Sequence, residues 1–404
     1  MIVEKFEFPN ARGESLAAVL DRPPGEPRAY ALFAHCFTCG KDVLAARRLA
    51  AALTEHGLAV VRFDFTGLGA SEGEFANTNF TSNVADLVAA AHALREQGHA
   101  PAVLIGHSLG GAAVLAAAGD VPEARAVVTI GAPFDPAHVA HSFPDQVEAI
   151  RRDGEGEVKL AGRPFRITRA FLDDVFSQRQ AERIEHLHKA LVIFHSPEDE
   201  TVGVENATQI FRAAKHPKSF ISLEKSDHLL TDPGDAAYVG GVIAAAVERY
   251  LPAAAAPSAH ADGAVVVGDT GFGRFQQAVV ASGHRIYVDE PVDVGGLATG
   301  PTPYDLVLAG LGACTSMTVR LYAERKGWPL EHVEVRLEHD RDHALDCENC
   351  EADDSRVGRI RRELRFEGPL SEEQRARLVE IAEKCPVHRT LAAGVLIETT
   401  LAAG

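Results

Sequence analysis

The chain has 404 residues, of which 46% are hydrophobic and 24% are charged, and its 57 acidic and 40 basic side chains give a net charge of −17. This length suits two or three domains, and the acidic balance argues against nucleic acid as a partner. No apolar run approaches the roughly 20 residues of a membrane span and no leader is visible, which predicts a cytoplasmic protein. The six cysteines are expected to be reduced, catalytic or metal-binding rather than a disulfide framework.

The first 251 residues alternate short apolar runs with helical stretches. An edge strand is expected at residues 1–6, where apolar and charged side chains alternate. Further strands are predicted at residues 30–34, 59–63, 103–105, 126–130 and 191–194. Strands separated by helices indicate a mostly parallel sheet that is covered on both faces, so the fold class is α/β.

A Gly-x-Ser-x-Gly turn centred on Ser108 follows the strand at 103–105, and the helix-forming segment 112–118 follows the turn. Small residues are needed two positions before and after the serine because the backbone nearly touches itself there. This order of strand, turn and helix is typical of a nucleophile elbow and predicts Ser108 as a catalytic nucleophile. The alternative is a tight glycine turn that contains a buried serine.

A nucleophilic serine needs a base, and the base needs a carboxylate that orients it. Asp199 follows the strand at 191–194, and His228 follows another strand end 29 residues further on. The order serine, acid, histidine along the chain therefore predicts Ser108 as nucleophile, Asp199 as orienting acid and His228 as base.

Four other residues compete for these roles. Asp135 also follows a strand and is an alternative acid. Asp227 adjoins His228 and is expected to point to solvent. His107 is expected to pack into the elbow and His195 at a strand end, so neither is favoured as the base.

The oxyanion of a tetrahedral intermediate needs two backbone N–H donors, and Leu109, directly after the serine, is the first candidate. A loop that follows a predicted strand reads His35-Cys36-Phe37, and residues 64–71 read Asp-x-x-Gly-x-Gly-x-Ser. With the elbow, these motifs make the first 250 residues resemble the α/β-hydrolase family of serine esterases and peptidases. The resemblance implies that the N–H of Phe37 is the second donor.

One position departs from the pattern of that family, because Cys36 stands where the family has glycine. Cys36 and Cys39 form a CxxC, for which a thioredoxin-like redox role is a minor alternative. The segment 134–187, with helical stretches and a Gly-rich turn, is expected to form a small lid over the site.

A Pro/Ala-rich linker at residues 252–263 separates a domain at 1–251 from a domain at 264–404. In the second domain, strands are predicted at residues 264–267, 276–280, 285–288, 333–337, 360–366 and 395–399. Helices are predicted from Tyr304 to about Lys326 and from Ser371 to about Lys384, the latter opened by a capping box. This domain is therefore predicted to be α+β.

Two cysteines are the reactive candidates of the second domain. Cys314 lies in a helix that is apolar on nearly all sides and is expected to be buried, where a cysteine is usually a small core hydrophobe. Cys385 follows a helix, and Lys384, His388 and Arg389 surround it with positive charge. Such charge lowers the pKa of a thiol or attracts anions.

Residues 264–404 resemble the OsmC/Ohr family of organic-hydroperoxide reductases. The stretches that carry the resemblance are Asp289-Glu290-Pro291, Gly300-Pro301-Thr302-Pro303-Tyr304, Gly312-Ala313-Cys314 and Cys385-Pro386-Val387. It implies that Cys314 attacks an organic hydroperoxide and that Cys385 resolves the sulfenic acid as a disulfide, which an external thiol reductant reopens. It also implies an intertwined homodimer with sites built between subunits.

The hydroperoxide-specific branch of that family pairs the thiolate with an arginine that a glutamate holds. Tyr304 stands at the position of that glutamate. The departure favours an alternative in which this half is a non-catalytic dimerisation or small-molecule-binding module. Arg274 is the nearest match for the arginine, and Glu290 is the candidate substitute carboxylate.

A third cluster comprises His339, His343, Cys347 and Cys350, whose spacing suits zinc but equally a hairpin tip, so no metal or cofactor is predicted. The basic run at 359–362 lies between acids and is expected to be a solvated strand or turn. The two resemblances together predict a bifunctional enzyme. One half is a serine hydrolase acting on an ester or amide, and the other is a two-cysteine thiol peroxidase.

Overall fold

The computed structural model describes residues 2–23, 27–37, 39–160, 162–251, 263–270, 273–340 and 359–400. The chain divides into two compact units, residues 1–256 and 257–404. The first unit contains a mostly parallel sheet, and the second contains antiparallel strands with helices.

An eight-stranded sheet runs through the first unit in the order β1-β2-β4-β3-β5-β6-β9-β10. The strands of this unit, including the separate hairpin β7–β8, are β1 (Ile2–Pro9), β2 (Ser15–Arg22), β3 (Ala29–Ala34), β4 (Leu58–Phe63), β5 (Pro101–His107), β6 (Ala126–Ile130), β7 (Glu155–Leu160), β8 (Arg163–Thr168), β9 (Ala190–His195) and β10 (Lys218–Ser222). β1, β2 and β4 pair antiparallel, and every further pair across to β10 is parallel. β1 lies at the edge, as its alternation predicts.

Helices cover this sheet on both faces. They are α1 (Leu44–Glu55), α2 (Phe80–Glu96), α3 (Leu109–Ala117), α4 (Pro144–Asp153), α5 (Arg169–Ser177), α6 (Gln180–Glu185), α7 (Glu205–Ala213) and α8 (Pro233–Val247). Along β5, Leu104 belongs to one hydrophobic core, whereas Val103 and Ile105 belong to the other. Because successive side chains of a strand point to opposite faces, both faces of the sheet are buried and the α/β prediction is confirmed.

Two elements of this unit were not predicted. β2 is buried along residues 16–21, so it lacks the alternation of apolar and polar residues that reveals a half-exposed strand. The segment 134–187 contains helices α4 to α6 but also the hairpin β7–β8. In β7, charged residues alternate with Val158 and Leu160, which are the buried side chains.

The second unit combines two small sheets with three helices in its described part. Its elements are β11 (Val266–Asp269), β12 (Gln277–Ala281), β13 (His284–Val288), α9 (Pro303–Lys326), β14 (His332–His339), β15 (Ile360–Glu367), α10 (Glu372–Ala382) and α11 (Pro386–Ala393). A capping box between Thr302 and Asp305 opens α9, and Gly327, at a left-handed φ of 65°, ends it. Antiparallel ladders beside a core helix confirm the α+β prediction.

The strand predicted at 395–399 is wrong. Residues 394–400 form no regular element, and Leu396 is 85% exposed. An apolar β-branched run makes a strand only where a neighbouring strand pairs with it, and none of the described strands pairs with this segment.

α9 meets the length and composition of a membrane span, with a hydropathy of 1.4 over its most apolar window. Only 22% of that window is buried. The helix packs on β14, α10 and α11, and Val319 and Ala323 belong to the core of the unit. These contacts make α9 the central helix of the small α+β unit.

Candidate active sites

Ser108 lies at the reversal between β5 and α3, with a left-handed φ of 54°. Only a backbone held firmly on both sides keeps a serine in that conformation. Gly110 allows the reversal, because a Cβ there would lie 2.5 Å from the carbonyl oxygen of His35. The glycine spacing that marks the motif in the sequence therefore reflects direct backbone contact between the elbow and the end of β3.

Three predicted site residues form one hydrogen-bonded chain. The Nε2 atom of His228 lies 3.0 Å from Oγ of Ser108, and its Nδ1 atom lies 2.7 Å from Oδ2 of Asp199. Ser108, Asp199 and His228 follow β5, β9 and β10, which are parallel strands that end at the same edge of the sheet. The topology therefore brings His228 to Ser108, which lies 120 positions earlier in the chain, and to Asp199, which lies 29 positions earlier.

Asp199 is held as a carboxylate. Burial by itself would raise its pKa, but hydrogen bonds from His228 and from the backbone N–H groups of Val202 and Thr201 outweigh burial and leave the pKa below its ordinary value. A carboxylate only accepts hydrogen bonds, so Nδ1 of His228 carries the proton. Nε2 is then free to accept the hydroxyl proton of Ser108.

The competing histidines have other partners. Nε2 of His107 donates to the carbonyl oxygen of His228 at 2.6 Å, and Nε2 of His195 donates to the carbonyl oxygen of Val202 at the same distance. Burial, reinforced by the neighbouring imidazole of His228, lowers the pKa of His107 to about 4, so it is neutral at pH 7. Both rings support the loops that carry the three central residues.

The competing acids are also engaged elsewhere. Asp135 accepts the N–H of Ala137 and caps a short 3₁₀ helix. Asp227 accepts the N–H groups of Leu229 and Thr231 in an exposed turn. Among the hydrogen bonds of the described residues, neither carboxylate bonds to His228.

A cavity of about 370 Å³ opens beside Ser108. Its described walls are formed by Cys36, Phe37, Cys39, Ser108, Leu109, Pro133, His138, Val139, Ser142, Lys159, Leu160, Thr201, Val202, His228 and Leu229. Phe37 and Leu109, the two expected oxyanion donors, thus line the same space as the hydroxyl. Lys159 and Leu160 come from the hairpin β7–β8 of the expected lid, so part of this segment lines the cavity.

Asp64 fixes the loop that follows Phe37, a role the sequence motif did not reveal. Its carboxylate accepts the N–H of Lys41 at 2.6 Å, the ammonium of Lys41 at 2.6 Å and the N–H of Ala70 at 2.9 Å. Burial would raise the pKa of Asp64, but these bonds outweigh it and lower the pKa. Gly69 must be glycine, because its Cβ would meet this carboxylate.

The expectation of reduced cysteines is wrong for Cys36 and Cys39, which form a disulfide. The N–H of Cys39 donates to the carbonyl oxygen of Cys36 at 3.2 Å, and this turn brings the two Cα atoms to 5.3 Å. Cysteine usage across the whole chain does not reveal such a local turn.

In the second unit, Cys385 is fully buried and caps α11. Its Sγ atom accepts the N–H of His388 at 3.2 Å and lies 3.6 Å from Oγ1 of Thr315. Cys314 directly precedes Thr315 on α9 and is half-buried. Both cysteines are free thiols.

Arg362 is the functional candidate that sequence reasoning missed. The run 359–362 was expected to be solvated, but Nη1 of Arg362 donates to Oγ1 of Thr315 at 3.1 Å and to the carbonyl oxygen of Ala382 at 3.2 Å. Alternation along β15 explains this, because Arg361 is exposed whereas Arg362 is half-buried. A guanidinium therefore lies one hydroxyl away from the sulfur of Cys385.

The structure does not bring Arg274 or Glu290 to the two cysteines within one chain. Arg274 is exposed, and its guanidinium lies over the ring of Phe275 at 4.8 Å. Glu290 is buried and lines a different cavity, of about 400 Å³, with Tyr304 and His339. Their roles therefore stay predictions.

The remaining cluster is only partly within the described residues. His339 ends β14, and its ring lies 4.4 Å from that of Tyr304. His343, Cys347 and Cys350 lie outside the described residues. Within the described ranges, no group of three or more histidine, cysteine or acidic side chains is placed to hold a metal.

Comparison with known proteins assigns each half of the chain. A family model described as serine aminopeptidase, S33, matches residues 25–154, and one described as OsmC-like protein matches residues 296–400. The comparison with curated proteins gave no match.

Solved structures match the first unit. The esterase domain of a Rhodothermus marinus protein is 50% identical, with a TM-score of 0.52, and the match covers 62% of this chain and 100% of that chain. A putative hydrolase from Agrobacterium vitis S4 is 20% identical, with a TM-score of 0.53, and the match covers 61% of this chain and 100% of that chain. Est1E from Butyrivibrio proteoclasticus with bound ferulic acid is 19% identical, with a TM-score of 0.51 and coverage of 61% and 98%.

The two weaker likenesses show the fold, whereas 50% identity over an entire esterase domain shows common family membership. The chain is therefore a member of the α/β-hydrolase family, of the serine esterase and peptidase type, whose hydrolase unit is joined to an OsmC-like domain.

Proposed function

We propose that the first unit hydrolyses esters through an acyl-serine intermediate. The chain of hydrogen bonds from Ser108 through His228 to Asp199, at 3.0 and 2.7 Å, carries this proposal. It joins a nucleophile, a base and an orienting carboxylate within bonding distance, next to a cavity that admits a substrate.

The chemistry follows from those contacts. As Oγ of Ser108 attacks the acyl carbonyl, its proton moves to Nε2 of His228, and Asp199 stabilises the imidazolium that forms. The N–H groups of Phe37 and Leu109 donate hydrogen bonds to the carbonyl oxygen and stabilise its negative charge. The imidazolium then protonates the departing alkoxide. A water molecule reverses the sequence and releases the acid from the serine.

The walls of the cavity favour particular substrates. Most of them are apolar, and Lys159 is the one Lys, Arg, Asp or Glu side chain among the described lining residues. An apolar acyl group, or one that ends in a carboxylate, therefore suits the cavity better than a cationic one. An esterase rather than a peptidase is proposed because the relative at 50% identity is an esterase domain.

A fluorophosphonate probe and p-nitrophenyl butyrate test this proposal together. The full chain is expected to be labelled at Ser108 and to hydrolyse the ester. Failure of both labelling and turnover would contradict it.

We further propose that the second unit reduces organic hydroperoxides, with Cys314 as the attacking thiolate. Cys314 is half-buried and so more accessible than Cys385, which is fully buried. Attack on the distal oxygen of ROOH gives a sulfenic acid on Cys314 and ROH. Displacement by the sulfur of Cys385 forms a disulfide and releases water, and an external dithiol then restores both thiols.

Two observations support the role of Cys385. Cys385 caps the N-terminus of α11, where its Sγ atom accepts the backbone N–H of His388. Arg362 adds a positive charge next to Thr315, whose hydroxyl faces the sulfur. Cumene hydroperoxide is expected to be consumed by the full chain in the presence of a dithiol and not by Cys314→Ser.

A homodimer formed through this unit is part of the proposal. Several apolar side chains of α9 and of the C-terminal segment are exposed in the single chain, namely Val307, Met317, Leu321, Val395, Leu396 and Ile397. Large apolar side chains left exposed in this way are typical of an interface. The need for a thiol reductant fits a cytoplasmic location.

The second candidate function is a non-catalytic dimerisation or small-molecule-binding module. Tyr304 favours it, because the ring occupies the position of the family's glutamate and lines the cavity of about 400 Å³. Mass spectrometry after mild peroxide treatment separates the two. A disulfide between Cys314 and Cys385 supports the peroxidase, and unchanged thiols support the module.

A further inference from the structure

The Cys36–Cys39 disulfide closes a short covalent ring that includes the backbone of Phe37. Phe37 is the residue expected to supply the second oxyanion donor. Both cysteines line the catalytic cavity together with Ser108. We propose that this disulfide positions the oxyanion loop, so that ester hydrolysis depends on the thiol–disulfide state of the pair. The inference rests on the proposed hydrolase function.

The ends of the loop are held independently of the disulfide. On one side, Cys36 is buried, and its carbonyl oxygen accepts a hydrogen bond from Nδ1 of the buried His35 at 2.8 Å. On the other side, both the N–H and the ammonium of Lys41 bind Asp64. The backbone between these anchors is where the disulfide removes freedom.

The side chain of Phe37 is held as well. Its ring lies 5.5 Å from the rings of both Phe75 and Phe171. These contacts fix the ring but leave the direction of the N–H group to the loop backbone. The disulfide therefore acts on the backbone N–H of Phe37, which is the group expected to donate to a reacting carbonyl oxygen.

The disulfide is open to exchange from the cavity. Cys39 is only half-buried, whereas Cys36 is buried, so a small dithiol reaches the sulfur of Cys39 first. Its thiolate bonds to that sulfur and displaces Cys36 as a thiol. The second thiol of the reagent then releases Cys39 as a thiol and closes into a cyclic disulfide, so two electrons pass to the protein.

Loss of the disulfide is expected to lower kcat rather than the stability of the fold. A disulfide across so short a loop stabilises the folded chain less than one across a long loop. A donor that is no longer preorganised weakens stabilisation of the transition state, for which complete removal of one donor costs about 10²–10³ in kcat. Partial freedom of the loop is therefore expected to lower kcat about tenfold and to leave KM within twofold.

The test compares the full-length wild type before and after dithiothreitol, with peptide mapping of every cysteine and kinetics on p-nitrophenyl butyrate. Reduction of Cys36 and Cys39 is expected to lower kcat about tenfold, and reoxidation by oxidised glutathione is expected to restore it. Cys314 and Cys385 are free thiols, and the peptide mapping follows their state separately from that of the pair in the loop. C347S/C350S should retain the response, which assigns it to the pair in the loop.

A matched variant and a probe keep the outcomes distinct. C36A/C39A is expected to show the lower kcat in both conditions. Equal kcat in the mapped oxidised and reduced wild type would overturn the inference and leave the hydrolase intact. Absence of turnover and of fluorophosphonate labelling in both states would instead contradict the hydrolase, and the inference with it.

Discussion

Nδ1 of His228 lies 2.7 Å from Oδ2 of Asp199, and both side chains stand on loops that follow neighbouring parallel strands. Asp199 is nearly buried and accepts two further N–H groups, so its carboxylate cannot turn away from the imidazole. The pair fixes which nitrogen of His228 carries a proton and leaves the other facing Ser108.

Asp199→Asn is expected to lower kcat for p-nitrophenyl butyrate roughly 10³–10⁴-fold with little change in KM, because the amide favours the wrong tautomer of His228. Asp227→Asn removes a neighbouring exposed carboxylate that has no bond to the ring, and it should change kcat less than twofold. Equal losses in the two variants would show that general charge near His228 matters and not the specific pair.

Gly110→Ala is expected to destabilise the first unit by about 1–3 kcal/mol and to reduce ester turnover, because the new methyl group collides with the backbone of Ala34 and His35. Gly119→Ala is the control, since nothing lies within 4 Å of its Cβ. The loss of ester turnover with increasing urea measures the stability of the first unit. The chain's one tryptophan, Trp328, reports on the second unit and should show no shift.

The buried pair of Lys41 and Asp64 makes the stability of the first unit depend on pH. The pKa of Asp64 is lower in the folded chain than in the unfolded chain, so the unfolded state binds more protons and stability rises with pH. This contribution is present above the ordinary pKa of about 3.9 and is lost as pH falls towards the folded value.

Asp64→Asn is therefore expected to cost roughly 3 kcal/mol at pH 7, where it leaves the ammonium of Lys41 buried without its carboxylate, and less at pH 3. Urea midpoints of both proteins between pH 3 and 7, read through ester turnover after return to pH 7, measure this difference. A cost independent of pH would assign Asp64 a purely steric role.

Lys159→Glu is expected to lower kcat/KM about tenfold for p-nitrophenyl hemisuccinate, which carries a carboxylate, and to leave p-nitrophenyl butyrate within twofold. Lys5→Glu makes the same change in net charge on the exposed edge strand β1 and should affect neither substrate. A parallel fall for both esters in Lys159→Glu would mean that the lid hairpin had moved instead.

Arg362→Gln is expected to slow consumption of cumene hydroperoxide roughly tenfold, because the cation beside Thr315 and Cys385 is lost. Arg361→Gln changes the adjacent exposed residue of β15 and should have no effect. Initial rates under excess dithiol measure both. An unchanged rate in Arg362→Gln would remove this guanidinium from the thiol chemistry.

The sequence predicted the central contacts of the first unit because parallel strands of an α/β sheet end at one edge, and short motifs mark those ends. Strand ends mark the candidates for each role, and the order serine, acid, histidine along the chain selects Ser108, Asp199 and His228 among them. β2 escaped prediction because it is buried along nearly its whole length, and the hairpin β7–β8 because its charged residues resemble a loop.

The second unit was harder to predict for a different reason. The inward position of Arg362 depends on the register of β15 against β14, which sets the face that each arginine occupies. Register is not visible in a run of consecutive basic residues. Likewise, the exposed segment 394–400 has the composition of a strand but no pairing partner among the described strands.

The most direct test of the account is to trap the acyl-enzyme. The full chain is mixed with p-nitrophenyl butyrate, quenched in acid within the first turnover and digested for mass spectrometry. We predict a butyryl group on the peptide that contains Ser108, and none in Ser108→Ala. Turnover of the ester without acylation of Ser108, or turnover that persists in the variant, would contradict the account.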